Sequence, residues 1–177
     1  MYNSGMLLTK VIQTPIGPLL AAFTDAELHL LEFSNNERAE SQLARACRFL
    51  GAEARPGHSP LVDRLSGELA EYFAGQRRAF SIPLAPPGTP FQQREWQALL
   101  TIPYGQTRSY GQLAAQIGAP NAARAVGAAN GQNPISILIP CHRLVGSSGS
   151  LIKYGGGLHR KALLLALEAS TQSYKQA

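Results

Sequence analysis

Apolar positions come in short runs over the first third of the chain. Leu7 to Ile12, Leu19 to Phe23 and Leu28 to Phe33 are separated by Thr14-Pro15-Ile16-Gly17-Pro18 and by Thr24-Asp25. Strand-length runs broken by such turn residues predict a small antiparallel meander. The spacing then changes. Residues 37–50 (ERAESQLARACRFL) and 61–74 (LVDRLSGELAEYFA) place apolar side chains three and four apart, which predicts two helices. Gly75 supplies a stop for the second. The Pro-rich stretch from Pro83 to Pro90 interrupts the pattern, and a domain boundary is expected there, between residues 1–88 and 89–177.

The second half reads as mainly helical. Thr89-Pro90-Phe91-Gln92 is a capping box with Pro at the first helical position, followed by an apolar face of Phe91, Trp96, Leu99 and Leu100. Ser109-Tyr110-Gly111-Gln112 is a second capping box opening a short helix to Ile117, closed by Gly118. After Ala119-Pro120-Asn121, a small-residue helix runs from Ala122 to Asn130 and closes at Gly131. Two short helices around a tight turn fit a helix-turn-helix, and equally an ordinary helical corner. Ile135 to Ile139 predicts a short buried strand before Cys141. Two Gly-rich loops follow, at 146–150 and 154–157, then a last helix from His159 to Ala169 with Leu163, Leu164 and Leu167 as core candidates. The expected fold class is α+β, an antiparallel-sheet domain with helices followed by a mainly helical domain.

Charge sharpens that division. The 177 residues carry a net charge of +5, with 45% hydrophobic residues. Residues 1–88 hold eight basic and nine acidic side chains, whereas residues 89–177 hold eight basic ones against only Glu95 and Glu168. The surplus of the second half suggests an anionic partner, nucleic acid first, or merely a basic surface. About 70% of the surface of a chain this size is buried on folding, so a hydrophobic core needs no metal or disulfide staple. Two cysteines do not make a disulfide framework. No secretory signal or membrane-length apolar stretch stands out, and a reducing, cytoplasmic setting is expected.

Cys141, His142 and Glu168 are the candidate chemistry. A thiol with an ordinary pKa of ~8.5 needs a base or positive surroundings to act as a nucleophile near neutrality. His142 is adjacent, and Glu168 can orient it if the last helix packs under the turn. A buried structural cysteine is the competing reading. Cys47, between Ala46 and Leu50 on a helix, reads as core. Arg124 projects from an otherwise smooth helix, either as a surface residue or toward an external phosphate or base.

The segment NPISILIPCHRLV, with Cys141, His142 and Arg143 at its heart, resembles the acceptor motif of the O6-alkylguanine-DNA alkyltransferases of the bacterial stand-alone type. The resemblance runs from about Thr89 to Glu168 and takes in SYGQLA, AARAVGAANGQNP, IPCHRLVGSSG, YGGG and HRKALLLALE. TPIGPLLAAF in the first half is similar too. The resemblance implies a DNA repair methyltransferase whose helix-turn-helix docks in the minor groove on the face of Ala123, Ala125 and Gly127. It implies that Arg124 fills the space of a flipped guanine, and that Tyr110 presses on the phosphate and assists the departing base. It implies that Cys141, deprotonated through His142, a bridging water and Glu168, attacks the alkyl carbon of O6-alkylguanine, with O4-alkylthymine a further substrate. Asn133 would tie the recognition helix to the active-site turn, Tyr154, Gly155 and Gly156 would line the pocket, and Ser147 would touch the backbone. The thioether does not hydrolyse, so each molecule acts once. The partner is duplex DNA, met by a monomer, with cooperative loading left open.

The chemistry itself needs no cofactor: a soft nucleophile, one base, one orienting carboxylate and one phenol suffice. No metal site is expected, since the first half offers only Cys47, His29 and His58. Two departures stand out. Ile152 and Lys153 precede the pocket Tyr where relatives have small residues, which leaves the range of alkyl groups open. Glu95 precedes Trp96 where an apolar residue is common. A lesion binder without transfer and a cysteine hydrolase are the alternative functions. The acceptor cysteine argues against the first, and the second lacks an evident oxyanion loop.

Overall fold

A computed structural model describes residues 5–35 and 37–173. The chain divides in sequence into two compact units between Gly88 and Thr89.

The first unit is built on a four-stranded sheet. Strands β1 (Met6–Ile12), β2 (Leu19–Phe23) and β3 (Leu28–Phe33) form the antiparallel meander, with Leu8 opposite Phe23 and Ala21 opposite Leu31. Thr14 and Gly17 close the first turn: Gly17 N–H donates to Thr14 O at 3.1 Å, and the Thr14 hydroxyl donates to Gly17 O at 2.6 Å. Gly17 has φ 125°, where a side chain would be strained. Helix α1 (Glu37–Leu50) then returns the chain to β4 (Glu53–Pro56), which pairs parallel with β1. That strand was not anticipated: its four residues are all exposed, so no burial alternation marks it. Leu7, Ala22 and Leu30 form a core that Leu43 and Cys47 of α1 cover, so Cys47 packs as its surroundings suggested. Helix α2 (Pro60–Phe73) carries Pro60 in its first turn and is followed by Gly75 at φ 73°.

The second unit is helical. Helix α3 (Pro90–Leu100) starts with the Thr89–Gln92 capping box, both reciprocal bonds formed at 3.3 and 2.9 Å. Its buried face is Trp96 and Leu99, whereas Leu100 is exposed and Phe91 only half-buried. Strand β5 (Arg108–Ser109) leads into α4 (Tyr110–Gln116), capped by Ser109 and Gln112, and Gly118 turns the chain at φ 75°. Helix α5 (Ala123–Gly131) packs against both α3 and α4, and the fully buried Trp96 donates its indole N–H to Ala129 O at 3.0 Å. Gly131 belongs to the helix, whose cap is Gln132.

The strand expected at Ile135 to Ile139 is not a strand. The segment is buried but wound into turns, with Ile137 at φ 72°. An apolar run reports burial, and periodicity cannot separate a strand from a buried turn over five residues. Residues 141–143 make one 3-10 turn, β6 (Leu144–Val145) pairs parallel with β5, and α6 (Leu158–Ser173) ends the described chain. On α6 Leu164 is buried, Leu167 half-buried and Leu163 exposed.

The Thr89 cap gives a direct check on this unit's stability. Thr89→Ala should lower unfolding free energy by about 1 kcal/mol in urea titration; an unchanged midpoint would mean that the cap contributes nothing.

Candidate active site

Asn133 determines where Cys141 sits. Its backbone N–H bonds Asn130 O at the end of α5, at 3.2 Å. Its side chain then holds the turn from both ends. Oδ1 accepts from Ile135 N at 3.0 Å, and Nδ2 donates to Ile139 O at 2.9 Å and more weakly to Ile135 O at 3.4 Å. These bonds take the place of a strand ladder and explain how a non-glycine residue is kept at positive φ. Cys141 follows two residues later, buried at the start of the 3-10 turn.

The rest of that turn is clamped to α6 through one carboxylate. Glu168, fully buried, receives His142 Nε2 at 2.8 Å on Oε1. Arg143 grips it with two bonds, Nε to Oε2 and Nη2 to Oε1, each 3.0 Å. Gly105 N–H donates to Oε2 at 3.2 Å, and Arg143 Nη1 donates to Ile102 O at 2.6 Å. Burial alone would raise the Glu168 pKa, but the hydrogen bonds from His142 and Arg143, with the Arg143 charge, outweigh it and hold the carboxyl well below the usual range. Burial pushes the His142 imidazole down, more than its bond to Glu168 restores. The ring is therefore neutral near pH 7. An ionised carboxylate at Nε2 fixes the proton there and leaves the Nδ1 lone pair free. Nδ1 is buried and has no hydrogen-bond partner among the described residues.

Tyr110 enters from the first position of α4, its ring alongside Gly127 of α5. Its hydroxyl donates to Ile152 O at 3.3 Å. Burial raises its pKa first, and the negative charges of Cys141 and Glu95 raise it further, so the phenol keeps its proton and lies within electrostatic reach of the thiol. Lys161 of α6, also buried, donates Nζ to the same Ile152 carbonyl at 2.8 Å. Burial lowers its pKa while Cys141 opposes that. Ile152 is thus held by its backbone, and its side chain lies over Gly146, where an added Cβ would come within 2.7 Å of it.

The structure brings together Cys141, His142, Glu168, Asn133 and Tyr110. Arg124 and Ala125 are exposed on α5, with Ala123 and Gly127 half-buried. Ser147 is exposed in the loop before Ile152, Tyr154 and Gly155 are half-buried, and Gly156 is buried, its carbonyl accepting from Arg160 at 3.0 Å. Arg124 and Ser147 make no hydrogen bond to the central group among the described residues. Sequence reasoning missed Lys161, whose only signal was a cation on an apolar helix face. Arg143 lies inside the acceptor-like segment, and its two bonds to Glu168 add to that of His142 in keeping the carboxylate charged.

The 6-O-methylguanine DNA methyltransferase models match both parts of the chain, the ribonuclease-like domain over residues 7–86 and the DNA binding domain over residues 90–170. The chain belongs to this family. A methylated-DNA–protein-cysteine methyltransferase of Mycobacterium leprae is 48% identical over 163 residues, covering 92% of this chain and 93% of its own. The solved O6-methylguanine methyltransferase of Mycobacterium tuberculosis superposes with TM-score 0.79 at 46% identity, covering 94% of each chain. The Mycobacterium tuberculosis OGT solved in complex with DNA gives TM-score 0.78 at the same identity and coverage. This methyltransferase is therefore an α+β DNA repair enzyme of the methylated-DNA–protein-cysteine methyltransferase class. No helix among its described residues is long and apolar enough to cross a membrane.

The Glu168 clamp has a signed consequence for stability. A carboxyl with a depressed pKa stabilises the fold above its unfolded value, near 4.5, and loses that contribution as pH falls further. Glu168→Gln should cost about 3 kcal/mol or more at pH 7, because Arg143 is left buried without its anion. The gap to the unsubstituted protein should narrow below about pH 4.5; a deficit independent of pH in chemical denaturation would refute the charge argument.

Proposed function

We propose that this methyltransferase transfers the alkyl group of O6-alkylguanine in duplex DNA irreversibly to Cys141. The observation that carries the reading is the buried His142, next to Cys141 in the 3-10 turn, with its Nε2 bound to Glu168 and its buried Nδ1 without a hydrogen-bond partner among the described residues. The Nδ1 atom takes the thiol proton through one bridging water. The thiolate attacks the alkyl carbon in line, the S–C bond forming as the C–O6 bond breaks. Tyr110 gives its proton to the departing guanine, which is a poor leaving group as an anion. The proton held by His142 then makes good the one lost from the phenol. A thioether has no route to hydrolysis here, so one molecule performs one transfer.

A guanine inside the stack does not present its alkyl carbon to a buried thiol, so the base is flipped outward. The exposed Arg124 fills the gap, and the small side chains at Ala123, Ala125 and Gly127 let α5 approach the minor groove. Tyr154, Gly155 and Gly156 line the base pocket, and Ser147 contacts the backbone. The relative solved with DNA supports this partner. The protein acts as a monomer in the cytoplasm, and O4-alkylthymine is a second substrate.

Two experiments test the reading. Incubation with duplex DNA carrying O6-methylguanine should add one methyl mass per molecule, located on Cys141 and absent from Cys141→Ala; protein recovered unmodified would overturn it, and a parallel O4-methylthymine duplex tests the second substrate. Arg124→Ala should slow repair of the duplex on the order of tenfold or more while leaving transfer from free alkylguanine nearly unchanged. Equal loss on both substrates would contradict the flipping role.

A further inference from the structure

Glu95 is a buried ionisable group that the reaction above leaves unused. It lies on α3 with 0% exposure, next to Trp96. Both carboxyl oxygens are buried and neither has a hydrogen-bond partner among the described residues. Burial without donors disfavours the charged form and pushes its pKa up to about 8.

Helix α3 packs against α4, α5 and the 141–143 turn. The titratable or charged groups these elements carry are Tyr110 on α4, the exposed Arg124 on α5, and Cys141, His142 and Arg143 in the turn. Arg143 is engaged by Glu168, and burial keeps His142 neutral. Tyr110 is the group that feels Glu95: a carboxylate there makes the phenol a weaker acid, in the same direction as the Cys141 thiolate.

We propose that Glu95 is a positioning residue for alkyl transfer, permissive while uncharged and inhibitory once ionised, acting through Tyr110. The inference rests on the reading of Tyr110 as proton donor given above. Negative charge is needed on the Cys141 sulfur before attack, and it builds on the Tyr110 oxygen as the proton leaves. A further negative charge on buried Glu95 opposes the loss of the Tyr110 proton. An uncharged carboxyl does not oppose it, so the ionisation of Glu95 sets an alkaline limit to the reaction that an apolar residue at this position would not impose.

Single-turnover transfer from O6-methylguanine duplex, with protein saturating, tests this from about pH 6 to 10. The unsubstituted protein should slow on the order of tenfold, a size expected for one partly screened buried charge, with a midpoint near pH 8. Glu95→Gln, uncharged throughout and of the same shape, should hold its rate well past that point, and Glu95→Met should do the same. Coincident profiles for the unsubstituted protein and a folded variant overturn the proposal. Absence of transfer from the unsubstituted protein at every pH overturns the functional reading instead. Infrared titration of the unsubstituted protein covers the case in which neither variant folds: one protonated carboxyl band should persist at pH 7 and fade with a midpoint near pH 8, and its absence at pH 7 also overturns the proposal.

Discussion

The second unit of this methyltransferase depends on one buried carboxylate. Glu168 draws His142, Arg143 and the Gly105 amide onto α6, so a single side chain joins the last helix, the 141–143 turn and the segment after α3. Burying an anion is costly unless its lone pairs are met by donors, and here the two-pronged Arg143 and the Gly105 N–H meet them. The hydrogen bonds from His142 and Arg143, together with the Arg143 charge, keep Glu168 ionised. His142 stays neutral, and the carboxylate determines which nitrogen bears the proton. The interaction that holds the turn in place also prepares the base for the proposed chemistry.

A second tie point is the Ile152 carbonyl, which accepts from both Tyr110 and Lys161. The phenol that the proposed reaction uses is therefore held in the free protein by the loop that leads to Tyr154. Buried Lys161 and Arg143 also revise the charge picture. Two of the eight basic residues in the second half are inside the fold, occupied by a carbonyl and a carboxylate. Both acids of that half, Glu95 and Glu168, are buried as well, so the surplus outside the core comes from basic side chains with no acidic neighbour from the same half to offset them.

What could be read from the sequence was what short-range chemistry decides. The meander, α1, and both capping boxes follow from turn residues, apolar spacing and Ser or Thr three residues before Gln, and all are present. Strand β4 was hidden because its pairing with β1 leaves no trace in the burial of its own four residues. The segment before Cys141 misled because five apolar residues look alike whether paired in a sheet or wound by Asn133. In the site, Cys141, His142 and Glu168 stood out by type and motif. The grip of Arg143 on Glu168 and the shared carbonyl of Ile152 join residues far apart in the chain, and spacing could not reveal them. The anomaly at Glu95 was visible as a charge where an apolar residue was expected, but only its unpartnered burial shows why it matters.

Burial keeps His142 neutral, while Glu168 fixes its proton on Nε2 and leaves a lone pair on Nδ1. Nitrogen NMR of protein carrying isotope-labelled histidine reads this directly, since protonated and bare ring nitrogens differ widely in shift. His142 should show a protonated Nε2 and a bare Nδ1 throughout neutral pH, with no cationic ring near its ordinary pKa. A proton on Nδ1, or an imidazolium at pH 7, would contradict this.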